Sequence, residues 1–222
     1  MIPDLIICNE QISSTSKAKN LGVILDSALT MEPKINEICK KACWEIRNIG
    51  RLREMIDPRN CAILVQAYVT SKLDYCNALL YSCNAKHINK LQRVQNAAAR
   101  LIACTRKFDP VTLIKKNLHW LPVKQRIVFK IIILCFKALY GKAPEYMQQL
   151  VSFKDNGSRR PKYLLKEPVD TTKTLKTVGD RSFAVAAYKL WNDLPKDIRK
   201  IDHYVNFKKL LKTHLFKEAY SC

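Results

Sequence analysis

Apolar positions along this 222-residue chain change their period near residue 30. Before that point they come as two short runs, Leu5-Ile6-Ile7 and Leu21-Gly22-Val23-Ile24-Leu25, of the kind that fill strands. Polar Ser13 to Lys19 lies between them and reads as a turn or strand edge. The pattern therefore predicts one short β-hairpin at the start. Two strands alone are marginal in water, and no later run offers an obvious sheet for them to join.

After Asp26 the apolar residues recur three and four apart. Ile35, Ile38, Cys39, Ala42, Ile46 and Ile49 share one helical face, behind Thr30 as a cap and Pro33 in the first turn. Asp57-Pro58 is a second start signal, for a helix running through Ile63, Leu64, Ala67 and Tyr68 towards Leu79. Asn84 is placed to cap a third, with Ile88, Leu91, Val94, Ala98, Leu101 and Ile102 on its apolar side. Asp109-Pro110 opens a short fourth helix. Pro122 opens a long fifth that ends at Gly141, and a sixth covers Pro144 to Val151. Residues 154–180 carry Lys, Arg, Thr, Pro and Gly without period and read as a long loop or a linker with a strand or two. Helical spacing returns over 181–194 through Phe183, Ala187, Leu190 and Trp191, and from about Tyr204 to Ala219 through Phe207, Leu210, Leu211, His214 and Leu215. Trp44, Trp120 and Trp191 are expected as core anchors. The fold class expected is mainly α: a thumb-like helical bundle with a short N-terminal β-hairpin and a smaller C-terminal helical part. The regions are 1–30, 31–153 and 154–222.

Composition adds a partner class. The chain is 48% hydrophobic with only five glycines, enough for a sizeable core, yet its formal net charge is +20. Such a charge calls for a polyanion, nucleic acid first and acidic membrane surface second. The charge is concentrated: Lys86 to Lys130 holds eleven basic residues against a single acid, Asp109. Nine cysteines, an odd and scattered set, read as reduced, mostly buried thiols of the cytosol or nucleus. Met1-Ile2-Pro3-Asp4 has no basic n-region, so no secretory leader is expected. The uncharged run Ile131 to Phe136 is too short to span a bilayer, so no membrane partner is expected.

Several blocks carry a resemblance. Lys19-Asn20-Leu21-Gly22-Val23-Ile24-Leu25-Asp26 and Leu29-Thr30-Met31 resemble the strand-turn segment after the catalytic motif of LINE-type (non-LTR) reverse transcriptases. Arg47-Asn48-Ile49, Val69-Thr70-Ser71-Lys72-Leu73-Asp74-Tyr75-Cys76-Asn77 and Leu91-Gln92-Arg93-Val94-Gln95-Asn96-Ala97-Ala98-Ala99-Arg100-Leu101 continue it. Leu118-His119-Trp120-Leu121-Pro122-Val123 with Arg126, Phe136-Lys137-Ala138-Leu139, Gly179-Asp180-Arg181-Ser182-Phe183, Leu190-Trp191-Asn192 and Leu194-Pro195 complete it. Order and spacing are similar to jockey-type retrotransposon elements over nearly the whole chain. The resemblance implies a primer grip at Leu21, Gly22 and Val23, then a thumb that closes on template–primer duplex, then a tail that helps bind RNA or target DNA. It implies as partners RNA, DNA and an upstream palm, fingers and endonuclease. It places the protein in nucleus and cytoplasm.

The catalytic part of that family does not carry over. RNA-directed DNA polymerase activity needs paired carboxylates holding two divalent metals. This sequence has no Asp-Asp dipeptide. No enzyme activity and no cofactor are therefore expected of this chain, magnesium belonging to the palm. The recognisable blocks begin downstream of the catalytic turn, so a fragment is expected. A domesticated nucleic-acid-binding protein and a helical protein-interaction module remain as alternatives, as does a decayed copy without function.

The binding candidates are Lys86, Lys90, Arg93 and Arg100 on one face of the third helix, with Arg106 and Lys107 after its end. Such a row neutralises phosphates; the plainer reading is a solvated helix face. No aromatic interrupts it, which favours backbone contact over base stacking. Lys154, Arg159, Arg160, Lys162 and Lys166 surround Gly157 and Pro161, and read equally as a phosphate-binding or nuclear-import segment and as an ordinary basic loop. Gly22 reads as a close approach for a primer backbone or as a bulge. Cys39 with Cys43, and Cys83 with His87, have spacings a zinc ion could use, though buried thiols account for them better.

Overall fold

The computed structural model describes residues 5–7, 10–106, 108–154, 163–168 and 179–220. The chain is mainly helical with antiparallel hairpins at its start. The start differs from the single hairpin of the pattern. β1 (Leu5–Ile7) pairs with β2 (Glu10–Ile12), and β3 (Lys17–Asn20) pairs with β4 (Val23–Asp26). Lys17–Asn20, which overlaps the polar Ser13 to Lys19 stretch read as a turn or strand edge, is a strand with all four residues exposed. No alternation marks such a strand; its turn does. Asn20 faces Val23, and Leu21 (φ 45°) and Gly22 (φ 77°) both lie at positive φ, the backbone of a two-residue I′ turn. That turn accounts for Gly22 without a bulge.

Asp26 ends β4 and starts the first helix. Its carboxylate accepts from the amides of Thr30 and Met31, both at 2.9 Å, while the Thr30 hydroxyl accepts from Glu32 N at 3.2 Å. Thr30 thus shares the capping that the pattern assigned to it alone. Burial works against ionisation of Asp26, but these bonds outweigh it and hold the carboxyl below its usual range.

α1 (Glu32–Leu52) buries Ile35, Ile38, Ala42 and Ile49. α2 (Pro58–Val65) is capped by Asp57, which accepts from Asn60 N at 2.6 Å. A wider π-turn, Gln66–Thr70, joins it to α3 (Ser71–Asp74). That turn lets residues four apart stay in line, so Cys61, Val65, Val69 and Leu73 are buried, while Ile63 and Tyr68 face outward against the simple periodicity. The helix ends at Tyr75, short of Leu79, and Asn77–Leu80 forms a single 3-10 turn. α4 (Ala85–Ala103) is capped by Asn84 as the pattern predicts. α5 (Thr112–Asn117) starts later than Asp109-Pro110; Asp109 instead accepts from Arg106 N at 2.6 Å.

α6 (Val123–Leu139) follows Pro122 and closes at Gly141 (φ 65°), where Lys142 N donates to Lys137 O at 2.7 Å. α7 (Glu145–Gln148), α8 (Phe183–Asn192) and α10 (Tyr204–Tyr220) lie where helices were expected. α9 (Lys196–Arg199), a single turn after Pro195, was not marked by any periodicity.

Two apolar clusters result. The first joins Val23, α1, α2, α3, α4 and the first half of α6 through Val123, Ile127 and Ile131. The second joins the other half of α6, through Ile132, Cys135 and Phe136, with Val151, Leu165, α8 and α10. Val151 and Leu165 stand on either side of the 153/154 boundary, and an antiparallel bridge between Phe153 and Leu165 spans it. Trp191 is fully buried, but Trp44 is 60% exposed and anchors no core.

Candidate nucleic-acid interface

The sequence sets the face of α4 before any tertiary contact forms. Leu91, Val94, Gln95, Ala98, Ala99 and Ile102 are buried along one side. At 100° per residue Lys86, Lys90, Arg93 and Arg100 project from the opposite side. The structure thus keeps the four together on one helix, Lys86 and Arg93 about 10 Å apart along its axis. It also divides them. Lys90 Nζ donates to Asn36 Oδ1 at 3.0 Å and lies 3.7 Å from Glu32, so this ammonium ties α4 to α1. Arg100 donates through Nε (3.3 Å) and a terminal nitrogen (3.1 Å) to the Asp109 carbonyl, clasping the loop that leaves the helix. Lys86, Arg93 and Arg106 are exposed and form no ion pair among the described residues. Lys115, nearby, has its ammonium pushed below the usual range by burial first and by the Arg100 charge second. Lys107, Arg159, Arg160 and Lys162 lie outside the described residues.

Two side-chain hydrogen bonds fasten the hairpin tip. Tyr75 donates its hydroxyl to Leu21 O at 2.6 Å, and the buried Lys34 donates to Gly22 O at 2.8 Å. Val23 is buried in the first cluster, while Leu21 is 84% exposed at the apex. Both apex carbonyls are therefore spent inside the protein, and the Leu21 side chain is what the tip offers outward.

Most of the sequence blocks that carry the resemblance are architectural. Lys72 pairs with Glu45 of α1 at 3.0 Å, Asp74 with Arg126 of α6, and Tyr75 with the hairpin. Gln92 Oε1 accepts from Val123 N at 3.0 Å and Gln95 Nε2 donates to Leu121 O at 2.8 Å, so α4 caps the start of α6. Trp191 donates to Tyr163 O at 2.9 Å, and Asn192 accepts from Leu165 N at 2.9 Å, fixing residues 163–165 on α8. Lys19, Arg47 and Arg93 are the exposed cations of these blocks that have no such duty among the described residues.

The zinc spacings are not realised: among the described residues no three His, Cys, Asp or Glu side chains gather. Burial pushes the Cys39, Cys61 and Cys83 thiols up, so none is a ready nucleophile. No helix among the described residues is long and apolar enough to cross a membrane. What the pattern undervalued is Trp44, which stands half a turn away from the Ile35–Ile49 stripe; that register was the available signal. No family model, curated protein or solved structure matches this chain.

Proposed function

We propose that this chain binds template–primer duplex or RNA as the non-catalytic thumb and tail of a LINE-type reverse transcriptase. The observation that carries the reading is the outward face of α4, where Lys86 and Arg93 stand unpaired in a stretch with a single acidic residue. Arg93 offers a planar fork for two phosphate oxygens, and Lys86 a compact charge one or two phosphates away. Lys90 and Arg100 add to the field while holding α1 and the 104–109 loop in place. The fastened hairpin presents Leu21 as an apolar stop beside a primer end.

Backbone contact predicts affinity that falls steeply with salt, by roughly 0.9 log units per log salt for each phosphate neutralised. Arg93→Ala should weaken duplex binding for all sequences alike and lower the salt slope by about one. Arg100→Ala is a poorer probe because it also frees the Asp109 carbonyl. Absence of any binding to duplex or RNA at low salt would sink the proposal. The protein-interaction alternative has its own support in an apolar cleft of about 570 Å³ between the hairpin, α6, α7 and α8. Its lining includes Leu29, Leu79, Tyr146 and Leu150, all substantially exposed.

A further inference from the structure

We infer that the outer face of α1 is a second nucleic-acid contact, a stacking platform for an unpaired base centred on Trp44. It rests on the reading above only for the class of partner, and uses a different helix and different residues.

Trp44 is 60% exposed in a chain that buries Trp191 completely. Lys40 lies four residues before it, Arg47 three after and Arg51 seven after, so all three share its face, and all three are exposed. None forms an ion pair among the described residues. The nearby carboxylates are already engaged. Glu37 accepts from Lys41 at 2.7 Å and from Lys34 at 3.3 Å, and Glu45 accepts from Lys72 at 3.0 Å. A cavity of about 960 Å³ opens beside the indole, lined also by Cys39, Cys43, Lys40, Arg47 and Lys72. Lys72 connects this rim to a second exposed aromatic, its Nζ 5.8 Å from the centre of the Tyr68 ring.

An aromatic face set among unpaired cations matches a base and its flanking phosphates. A duplex hides the faces of its bases, so the strand that fits is single. An acidic peptide would satisfy the cations and leave the indole without a counterpart. A second copy of a chain carrying +20 would be repelled. The α4 row has no aromatic, so the two helices divide the work: α4 meets backbone, α1 meets a base.

The test uses the full chain at low salt, with an oligo-dT of about 12 nucleotides and a blunt duplex of about 20 base pairs. Anisotropy and intrinsic tryptophan emission are read together. Wild type should bind the single strand with quenched emission. Trp44→Ala should lose about tenfold in single-strand affinity together with the quench, and keep duplex affinity within about twofold. Trp44→Phe should keep most of the single-strand affinity. Single-strand binding unchanged in Trp44→Ala, or weakened equally with duplex binding, overturns the platform. So does oligoglutamate displacing oligo-dT equally well from wild type and Trp44→Ala. A duplex affinity insensitive to Arg93→Ala, beside a single-strand loss in Trp44→Ala, would remove the α4 reading and leave this one standing. No binding to either nucleic acid overturns both.

Discussion

The two apolar clusters are joined by different forces. In the first, aliphatic side chains fill the space and polar side chains lock the joints. Lys34 holds the hairpin, Arg53 donates to the Leu101 and Ile102 carbonyls at the end of α4, and Gln95 holds Leu121. In the second, stacked rings join the helices, Phe136 on Phe207 with centroids 4.3 Å apart and Trp191 on Phe207 at 5.5 Å, while the bonds of Trp191 and Asn192 hold residues 163–165. Directional bonds fix the register of one element on another. Stacked rings fix distance and contribute area, and tolerate sliding. The half that carries both candidate surfaces, α1 and α4, is the half whose helices are held in register by polar bonds.

The contrast can be broken most forcefully at Trp191. Trp191→Ala should cost about 3–5 kcal/mol in urea unfolding. Because α6 feeds both clusters, the loss should appear as one transition by circular dichroism and by tryptophan emission. Two separated transitions would mean that the clusters are independent. Gln95→Ala should cost about 2 kcal/mol, since a buried amide leaves Gln92 and Leu121 short of a partner. Leu121 O keeps its bond from Arg126 Nε at 3.2 Å, which limits the damage. A null effect there would undo the claim that polar bonds lock the first cluster.

Smaller effects sharpen the picture through pH. Asp26→Ala should cost about 1 kcal/mol as a lost cap. The Asp26 carboxyl is depressed in the folded chain, so its contribution is present above the usual carboxylate range and is lost as the pH falls below it. The variant should therefore show a flatter acid limb than wild type. Tyr220 has its hydroxyl pushed up to about 12 by burial, and donates to Trp120 O at 2.7 Å. A raised folded value favours the neutral form. That contribution is present below the ordinary tyrosine range and vanishes as the pH climbs towards 12. Tyr220→Phe should lose about 0.5–1 kcal/mol at neutral pH and be less alkali-sensitive over that window. Lys189→Ala, removing an exposed ion pair with Asp180, should change stability by less than about 0.5 kcal/mol.

How much of this was legible in the sequence depended on the range of the causes. The α4 and α6 helices were readable because cap, stripe and stop lie within a few residues: Asn84 with Leu91 and Val94, Pro122 with Gly141. The β3 strand was not, since Lys17–Asn20 has no buried face and is set by the turn at Leu21-Gly22. The π-turn was not, because one widened turn shifts every later residue while leaving local composition ordinary. In the candidate site, the row from Lys86 to Arg100 was visible as charge. Its division was invisible, because Lys90 is engaged by Asn36, 54 residues away in the chain. Trp44 was legible by register, but a tryptophan in a helix is so often core that the angle was outweighed by the residue type.

The helix shared by both clusters has a consequence for the chain while it is being made. Once residue 139 has emerged, α1 to α4 can close on the first half of α6. The other face, with Ile132, Cys135 and Phe136, then waits for Trp191 and Phe207. At roughly 5–20 residues per second that interval lasts on the order of 3–14 seconds to residue 207. Through it a nascent, strongly cationic chain carries an uncovered aromatic and aliphatic strip. Electrostatic repulsion between neighbouring nascent chains then guards a surface that the finished molecule hides.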